Sequence, residues 1–123
     1  MTILQAIQQV DELRPNTYST RQKLLWLFRL ETMVKTLVMD VHEGSEGRDL
    51  TGFTEHTDAG RELFMEAPFD VGYLYWLEAQ IHYANEETGL YNNAMSMFNT
   101  VFSAFKAHYK QKHNTRSTGR FRF

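Results

Sequence analysis

Apolar residues recur every three to four positions in four separate stretches, the spacing that gathers them on one side of a helix. The first stretch has its apolar positions at Ile3, Ala6, Ile7 and Val10. Thr2 is placed to cap this helix, because its hydroxyl can accept a hydrogen bond from a backbone N–H of the first turn. Pro15 excludes Arg14 from helical geometry, so we predict a helix over residues 2–13.

The second predicted helix covers residues 20–41 and is the longest. At its start, Ser19 and Gln22 have the spacing of a capping box. Its predicted buried stripe is Leu27, Leu30, Val34, Leu37, Val38 and Val41. Glu31 and Lys35 are predicted to lie outside that stripe, as a surface ion pair four residues apart.

A polar, acidic stretch with four glycines follows over residues 44–66. Here we expect a long loop, or a short hairpin in which residues 62–66 are extended. Loops of this length in small domains are commonly functional or mobile.

Two more helices complete the pattern. The third follows Pro68-Phe69-Asp70, with Asp70 as the predicted N-cap and with Val71, Leu74, Leu77, Ile81 and Ala84 on its apolar side. The fourth covers residues 90–110, with Tyr91, Ala94, Phe98, Val101, Phe102, Phe105 and Tyr109 on one side. We therefore predict an all-α protein: a small four-helix bundle over residues 1–113, with an extended C-terminal arm over residues 114–123.

Length and composition narrow the class further. The chain has 123 residues, of which 42% are hydrophobic and none is cysteine. One modest core is therefore expected, and thiolate metal sites and cysteine nucleophiles are excluded. Residues 24–28 form the densest apolar run, far shorter than the ~18 residues of a membrane span. With no secretory signal pattern at the start, we expect a soluble protein that has no membrane partner.

The charge is unevenly divided along the chain. Residues 1–87 hold seven basic and all fifteen acidic side chains, a net charge of −8, whereas the rest holds six basic side chains and no acidic one. A basic end on an acidic body indicates a segment that binds something negative, such as nucleic acid, a partner protein or a neighbouring copy.

Candidate chemistry is sparse. His82 lies four residues after Glu78, whereas di-iron bundles use Glu-x-x-His at a spacing of three, twice over. The sequence has no His-Glu-x-x-His, no Gly-x-Ser-x-Gly, no phosphate-binding loop and no dinucleotide fingerprint. We therefore expect no catalytic residue, no metal and no cofactor, and thus not an enzyme. Aromatic residues exceed what one small core hides, which favours self-association.

Two segments resemble the small helical head–tail connector (adaptor, or neck) proteins of tailed bacteriophages. The first is Asp-Glu-Leu-Arg-Pro-Asn-Thr-Tyr-Ser at residues 11–19, followed by Lys23 and Trp26-Leu27. The second comprises Pro68-Phe69-Asp70, Tyr73, Trp76-Leu77-Glu78-Ala79, Ile81, Asn85-Glu86 and Tyr91-Asn92-Asn93. The resemblance covers most of residues 10–105 and consists of packing and capping patterns.

The resemblance implies a ring of identical subunits, usually a dodecamer, in the neck of the virion after synthesis in the host cytoplasm. Such a ring binds beneath the portal protein, extends the DNA channel, helps to retain packaged DNA and carries the next neck or tail-completion protein. By position, the portal-binding residues would be Lys112, Arg116, Arg120, Phe121, Arg122 and Phe123. The channel or the next ring would meet an acidic loop with Glu43, Glu46, Asp49, Glu55 and Asp58. DNA would pass such a loop without specific binding, because both carry negative charge.

A rival interpretation uses the same basic end. A small DNA-binding packaging protein, similar to a terminase small subunit, would bind phosphates with these arginines and lysines, and its affinity would fall steeply with salt. The sequence leaves both interpretations open.

Overall fold

The described part of the chain folds as four α-helices with one short π-helical turn. The computed structural model describes residues 1–39, 52–53, 56–57 and 59–118, with side chains described up to Lys112. The helices are α1 (Ile3–Leu13), α2 (Thr20–Val34), α3 (Val71–Ala84) and α4 (Thr88–Thr118), and the π turn is Lys35–Met39. These described ranges contain no β-strand, which confirms the predicted small all-α bundle.

Helix α1 begins where its sequence places the cap. The Thr2 hydroxyl accepts a hydrogen bond from the Gln5 N–H at 3.1 Å, and the Gln5 side chain accepts one from the Thr2 N–H at 2.9 Å. This reciprocal pair satisfies two backbone donors that a helix start otherwise leaves without partners. The predicted apolar side is confirmed: Ile3, Ala6, Ile7 and Val10 are all buried.

The segment before α3 pairs with the start of the chain. The Ile3 N–H donates to the Arg61 carbonyl at 3.1 Å, and the Leu63 N–H donates to the Met1 carbonyl at 3.0 Å. The expected extended conformation around residues 62–66 thus has the N-terminal segment as its partner in the described part of the chain. Leu63 and Met65 are buried as a result.

The helix predicted over residues 20–41 is not one α-helix up to residue 39, and Val41 of its predicted stripe lies outside the described part of the chain. It starts at its predicted cap, where the Ser19 hydroxyl accepts a hydrogen bond from the Gln22 N–H at 3.1 Å, but it widens into the π turn at Lys35. A π turn holds more residues than an α turn, so the buried side shifts along the sequence. Leu37, predicted to be buried, is therefore 55% exposed, whereas Met39 is buried.

The predicted surface position of Glu31 is wrong. Its side chain is 1% exposed. One carboxylate oxygen accepts a hydrogen bond from the Phe64 N–H at 2.9 Å, and the other accepts one from the Tyr73 hydroxyl. That hydroxyl in turn accepts a hydrogen bond from the Met65 N–H at 2.8 Å. Glu31 lies one turn after Leu27, on the buried side of α2. Burial of its carboxylate is tolerated because the Tyr73 hydroxyl on α3 donates a hydrogen bond to it.

Helices α3 and α4 form an antiparallel hairpin. Phe69 contacts Phe105 and Trp76 contacts Phe98, with ring centroids 5.8 Å and 5.2 Å apart. At Gly72 the helices come close, because a Cβ atom there would lie 3.3 Å from the side chain of Val101. Only a small residue permits this approach.

Two expectations at the ends of this hairpin are corrected. Asp70 makes no side-chain capping bond to α3; its carboxylate lies 3.6 Å from the Met1 amino group instead. Helix α4 continues to Thr118, so the extended arm predicted to begin at residue 114 is helical over residues 114–118. Residues 119–123 lie outside the described part of the chain.

Removing the Tyr73 hydroxyl tests the buried Glu31 network. In Tyr73→Phe, the Met65 N–H and one Glu31 oxygen lose their partner without gaining water, so we expect a loss of about 2–4 kcal/mol in the free energy of unfolding. Urea denaturation measures this loss. Tyr75→Phe is the matched control, since this half-buried ring lies on the same helix. Equal effects of the two variants would contradict the assigned role of the Glu31–Tyr73 pair.

Candidate functional site

The residues predicted to contact partners are only partly covered by the structure. Lys112 lies on α4, with its Nζ atom 3.8 Å from the Glu66 carboxylate. Arg116 lies within the helical stretch of α4, but its side chain lies outside the described part. The remaining partner-binding residues, Arg120, Phe121, Arg122 and Phe123, lie outside the described residues, as do the loop residues Glu43, Glu46, Asp49, Glu55 and Asp58.

Helix α4 is much longer than the helix it packs against. With 31 residues it measures about 46 Å, whereas the 14 residues of α3 measure about 21 Å. Near the start of α3, Phe69 contacts His108, and Glu66 lies close to Lys112. The helix continues for six residues beyond Lys112, so its C-terminal end projects past the start of α3.

Charge changes abruptly along α4. Residues 88–105 contain no charged side chain, whereas Lys106, Lys110, Lys112 and Arg116 follow. We name the outward side of the first part the uncharged face; it consists of Asn92, Met95, Ser96, Asn99, Thr100 and Ser103. These residues line a shallow groove of about 690 Å³. On another side of the same uncharged stretch, Leu90 and Met97 are 45% and 50% exposed. An exposed helix side without charge resembles the interior of a protein–protein interface more than ordinary surface.

A second concave feature lies at the turn between α3 and α4. We name it the turn hollow; it has a volume of about 680 Å³ and is lined by Tyr83, Ala84, Glu86, Glu87, Thr88, Tyr91 and Asn92. The rings of Tyr83 and Tyr91 lie 5.5 Å apart, and Tyr83 is 69% exposed. The hollow therefore combines two accessible phenol rings with two carboxylates.

The backbone at the turn holds both glutamates in place. The Glu87 N–H donates to the His82 carbonyl at 2.9 Å, and the Glu86 N–H donates to the Tyr83 carbonyl at 3.0 Å. This is the bonding of a Schellman helix end, in which the residue after the cap takes a left-handed conformation and is usually glycine. Here that residue is Glu86, with φ of 61°. A side chain with a Cβ atom makes this conformation more costly than it is for glycine.

A polar cluster connects the turn to α1. Buried His82 lies between two carboxylates: its Nδ1 atom is 3.0 Å from Glu87 and its Nε2 atom is 3.5 Å from Glu78. Arg14, at the end of α1, also contacts Glu78 at 3.0 Å. The hydrogen bond from His82, aided by one from Asn85, lowers the pKa of Glu87, so this carboxylate is charged at neutral pH.

The cluster confirms that Glu78 and His82 share one side of α3, as their spacing predicts. Within the described residues, no three histidine or acidic side chains are arranged to hold a metal ion. There is likewise no described helix long and apolar enough to cross a membrane. The polar cluster therefore has a clear structural role, which is to tie the turn to the end of α1.

The chain matches no protein-family profile, no curated protein and no solved structure. Its function must therefore be argued from its own residues.

Sequence reasoning located the α3–α4 break but missed the turn hollow. In a sequence, a left-handed residue is usually indicated by glycine. The glycine near this turn is Gly89, but the left-handed residue is Glu86. The uncharged face was missed for a different reason. Its polar, uncharged residues resemble those of an ordinary protein surface. The distinguishing signal is that residues 88–105 contain no charged side chain.

Relieving the strain at Glu86 is expected to stabilise the protein. Glycine adopts the left-handed conformation without steric cost, so Glu86→Gly should be more stable than Glu86→Ala by about 1 kcal/mol. Both variants lose the carboxylate, and only alanine keeps the Cβ atom, so the pair isolates the backbone term. Thermal unfolding followed by circular dichroism measures the difference. A lower melting temperature for the glycine variant would contradict the left-handed turn.

Proposed function

We propose that this chain is a structural subunit that assembles with copies of itself into a ring, and that the ring is a head–tail connector of a tailed bacteriophage. The observation that carries the proposal is the uncharged face of α4, which leads into a projecting basic helix end. The first feature is suited to packing against another polypeptide, and the second to binding an acidic one. The proposal that the ring is a phage connector rests in addition on the resemblance carried by residues 11–27 and 68–93.

The uncharged face suits close helix packing. Ser96, Thr100 and Ser103 have short side chains, so a second backbone can approach, and burying a hydroxyl costs less than burying a charge. The face spans about 18 Å along a helix about 10 Å wide. This area is well below the ~800 Å² per partner of a stable interface. A ring built on this face therefore needs a second contact.

The basic end of α4 carries charge on more than one side. At about 100° per residue, Lys106 and Lys110 share one side, and Lys112 and Arg116 share another. Lys106 already lies over the Phe102 ring, 5.1 Å from its centroid. Charge that surrounds a helix suits insertion into an acidic socket more than lying along one groove. In the connector proposal that socket belongs to the portal protein.

The acidic body completes the proposed mechanism. Residues 1–87 carry a net charge of −8, so a channel lined by this part of the chain repels phosphates. DNA would slide through such a ring and be retained by closure of the assembly. The acidic loop with Glu43, Glu46 and Asp49 is the proposed lining or the proposed contact to the next neck protein.

The rival proposal, a small DNA-binding packaging protein, is favoured by the same basic end. The two differ in their behaviour towards free DNA. A packaging protein binds it with an affinity that falls steeply between about 50 and 200 mM salt, whereas a connector shows little affinity at either concentration. Gel shifts at these two concentrations separate them. Phage particles lacking the protein give an independent answer: filled heads that leak favour the connector, and heads that never fill favour packaging.

A charged substitution on the uncharged face should cause the ring to dissociate. We expect the wild-type chain to run as a multiple of its 14.5 kDa mass and Thr100→Glu to run as a smaller species, because a buried carboxylate without a partner is costly. Analytical ultracentrifugation measures both.

Thr32→Glu is the matched control for this experiment. Thr32 and Thr100 are both exposed within helices, and each hydroxyl donates to the carbonyl four residues earlier, at 2.9 Å and 3.1 Å. The control should keep the wild-type mass. A monomeric wild-type chain, or an intact assembly in Thr100→Glu, would refute assembly through this face.

A further inference from the structure

The turn hollow has the chemistry of a site for arginine and aromatic side chains. A guanidinium group stacks on a phenol ring and forms charge-assisted hydrogen bonds with a carboxylate. Tyr83 and Tyr91 supply the rings, and Glu86 and Glu87 supply the carboxylates. A volume of about 680 Å³ holds several side chains, in the range of sites that bind small ligands or peptide segments.

The Glu87 carboxylate and the backbone of the turn are ordered before any partner arrives. The Oε1 atom of Glu87 accepts hydrogen bonds from His82 at 3.0 Å and from Asn85 at 3.1 Å. The backbone of Glu86 is fixed by the Schellman bonding. Because the turn already has its bound shape, a ligand pays less ordering entropy on binding. The strain at Glu86 then has a use: it places a carboxylate where stability alone favours glycine.

The chain itself contains a segment of complementary chemistry. Residues 120–123 read Arg-Phe-Arg-Phe, with no acidic residue anywhere after Glu87. Two guanidinium groups match two carboxylates, and two phenyl rings can pack on two phenol rings. This complementarity of charge and of ring type favours residues 120–123 as the occupant.

That segment cannot reach the hollow of its own chain. Tyr91 in the hollow and Thr118 are 27 residues apart on one helix, which is about 40 Å along its axis. The five residues from Thr118 to Phe123 span at most about 18 Å when fully extended. The hollow and this segment can therefore meet only between two copies.

We propose that residues 120–123 of one copy dock in the turn hollow of the next copy, with Arg120 or Arg122 bound to Glu86 and Glu87. The contact joins opposite ends of two molecules, so it is head-to-tail, and repetition gives a closed ring or an open filament. This inference rests on the proposed assembly and supplies the second contact that the uncharged face requires. It assigns Arg120–Phe123 to the neighbouring copy and leaves the basic helix surface for the portal.

A labelled peptide tests the hollow directly. The probe is a fluorescent peptide of residues 116–123, Arg-Ser-Thr-Gly-Arg-Phe-Arg-Phe. The receptor is the full chain carrying Arg120→Glu and Arg122→Glu, so that its own segment does not compete. We expect saturable binding by fluorescence anisotropy, weakened about tenfold when Glu86→Gln is added to the receptor, since a charge-assisted hydrogen bond is lost.

Glu66→Gln is the matched control, because this exposed glutamate lies near the other end of α4, beside Lys112. It should change the peptide affinity less than twofold. Absence of binding up to about 1 mM, which corresponds to negligible affinity, would overturn the proposal. Equal effects of Glu86→Gln and Glu66→Gln would also overturn it, since the peptide would then be sensing only net charge.

Mixing two defective chains tests the head-to-tail geometry. The Arg120→Glu/Arg122→Glu chain keeps an intact hollow, and Glu86→Gly keeps an intact segment and a relaxed turn. A head-to-tail contact lets this mixture form one productive junction, so ultracentrifugation should show a one-to-one complex that neither chain forms alone. Full rings of the Arg120→Glu/Arg122→Glu chain by itself would refute the docking while leaving the proposed function intact. A monomeric wild-type chain that still binds the peptide at Glu86 would refute the ring and leave the hollow intact.

Discussion

The buried carboxylate of Glu31 places a demand on three parts of the chain at once. A charged or strongly polar group in a core is costly unless it is hydrogen-bonded. Its partners come from α3, through the Tyr73 hydroxyl, and from the segment before α3, through the Phe64 N–H. Burial raises the pKa of Tyr73 well above its usual range, and the charge of Glu31 adds to this, so the phenol keeps the proton that it donates. This network joins α2 to α3, together with the hydrogen bond from the Trp76 Nε1 atom to the Trp26 carbonyl at 2.9 Å.

The α3–α4 hairpin is built on the face of α3 that packs against α4. Its aromatic side packs on the first half of α4, with Trp76 against Phe98 and Gly72 close to Val101. Phe105 and Tyr109 continue this packing into the second half of α4, and the last six residues of the helix lie beyond Lys112, past the start of α3. The hairpin thus leaves two unlike features on one helix: an uncharged side near its start and a basic end that projects.

The turn between α3 and α4 shows how stability and interaction compete. Glu86 occupies a left-handed position that glycine fills at less cost, and Glu87 is held by His82, which is itself tied to Glu78 and Arg14. The turn holds two carboxylates beside two tyrosine rings; Glu87 also ties the turn to α1, whereas the Glu86 carboxylate lines the turn hollow. We propose that a basic, aromatic segment, residues 120–123 of a neighbouring copy, binds this arrangement.

The helices could be predicted from local sequence because their signals are local. The caps of α1 and α2, the apolar repeat of α1 and the aromatic repeat of α4 all depend on residues within a few turns of one another. The basic C-terminal end and the acidic body are likewise properties of the sequence alone. The spacing of apolar residues along a helix and the distribution of charge along the chain can be read from the sequence, because neither depends on residues distant in the chain.

What only the tertiary structure decided involves residues distant in the chain. Glu31 looks like a surface residue until Tyr73, 42 positions later, gives its carboxylate a partner. The C-terminal end of α4 passes the start of α3 because α4 has 31 residues and α3 has 14, and the hollow lies where the two helices meet, at a turn in which Glu86 is left-handed. Whether a residue is buried, and whether its backbone is strained, depends on all the groups that pack around it. The local sequence does not specify those groups, because many of them are distant in the chain.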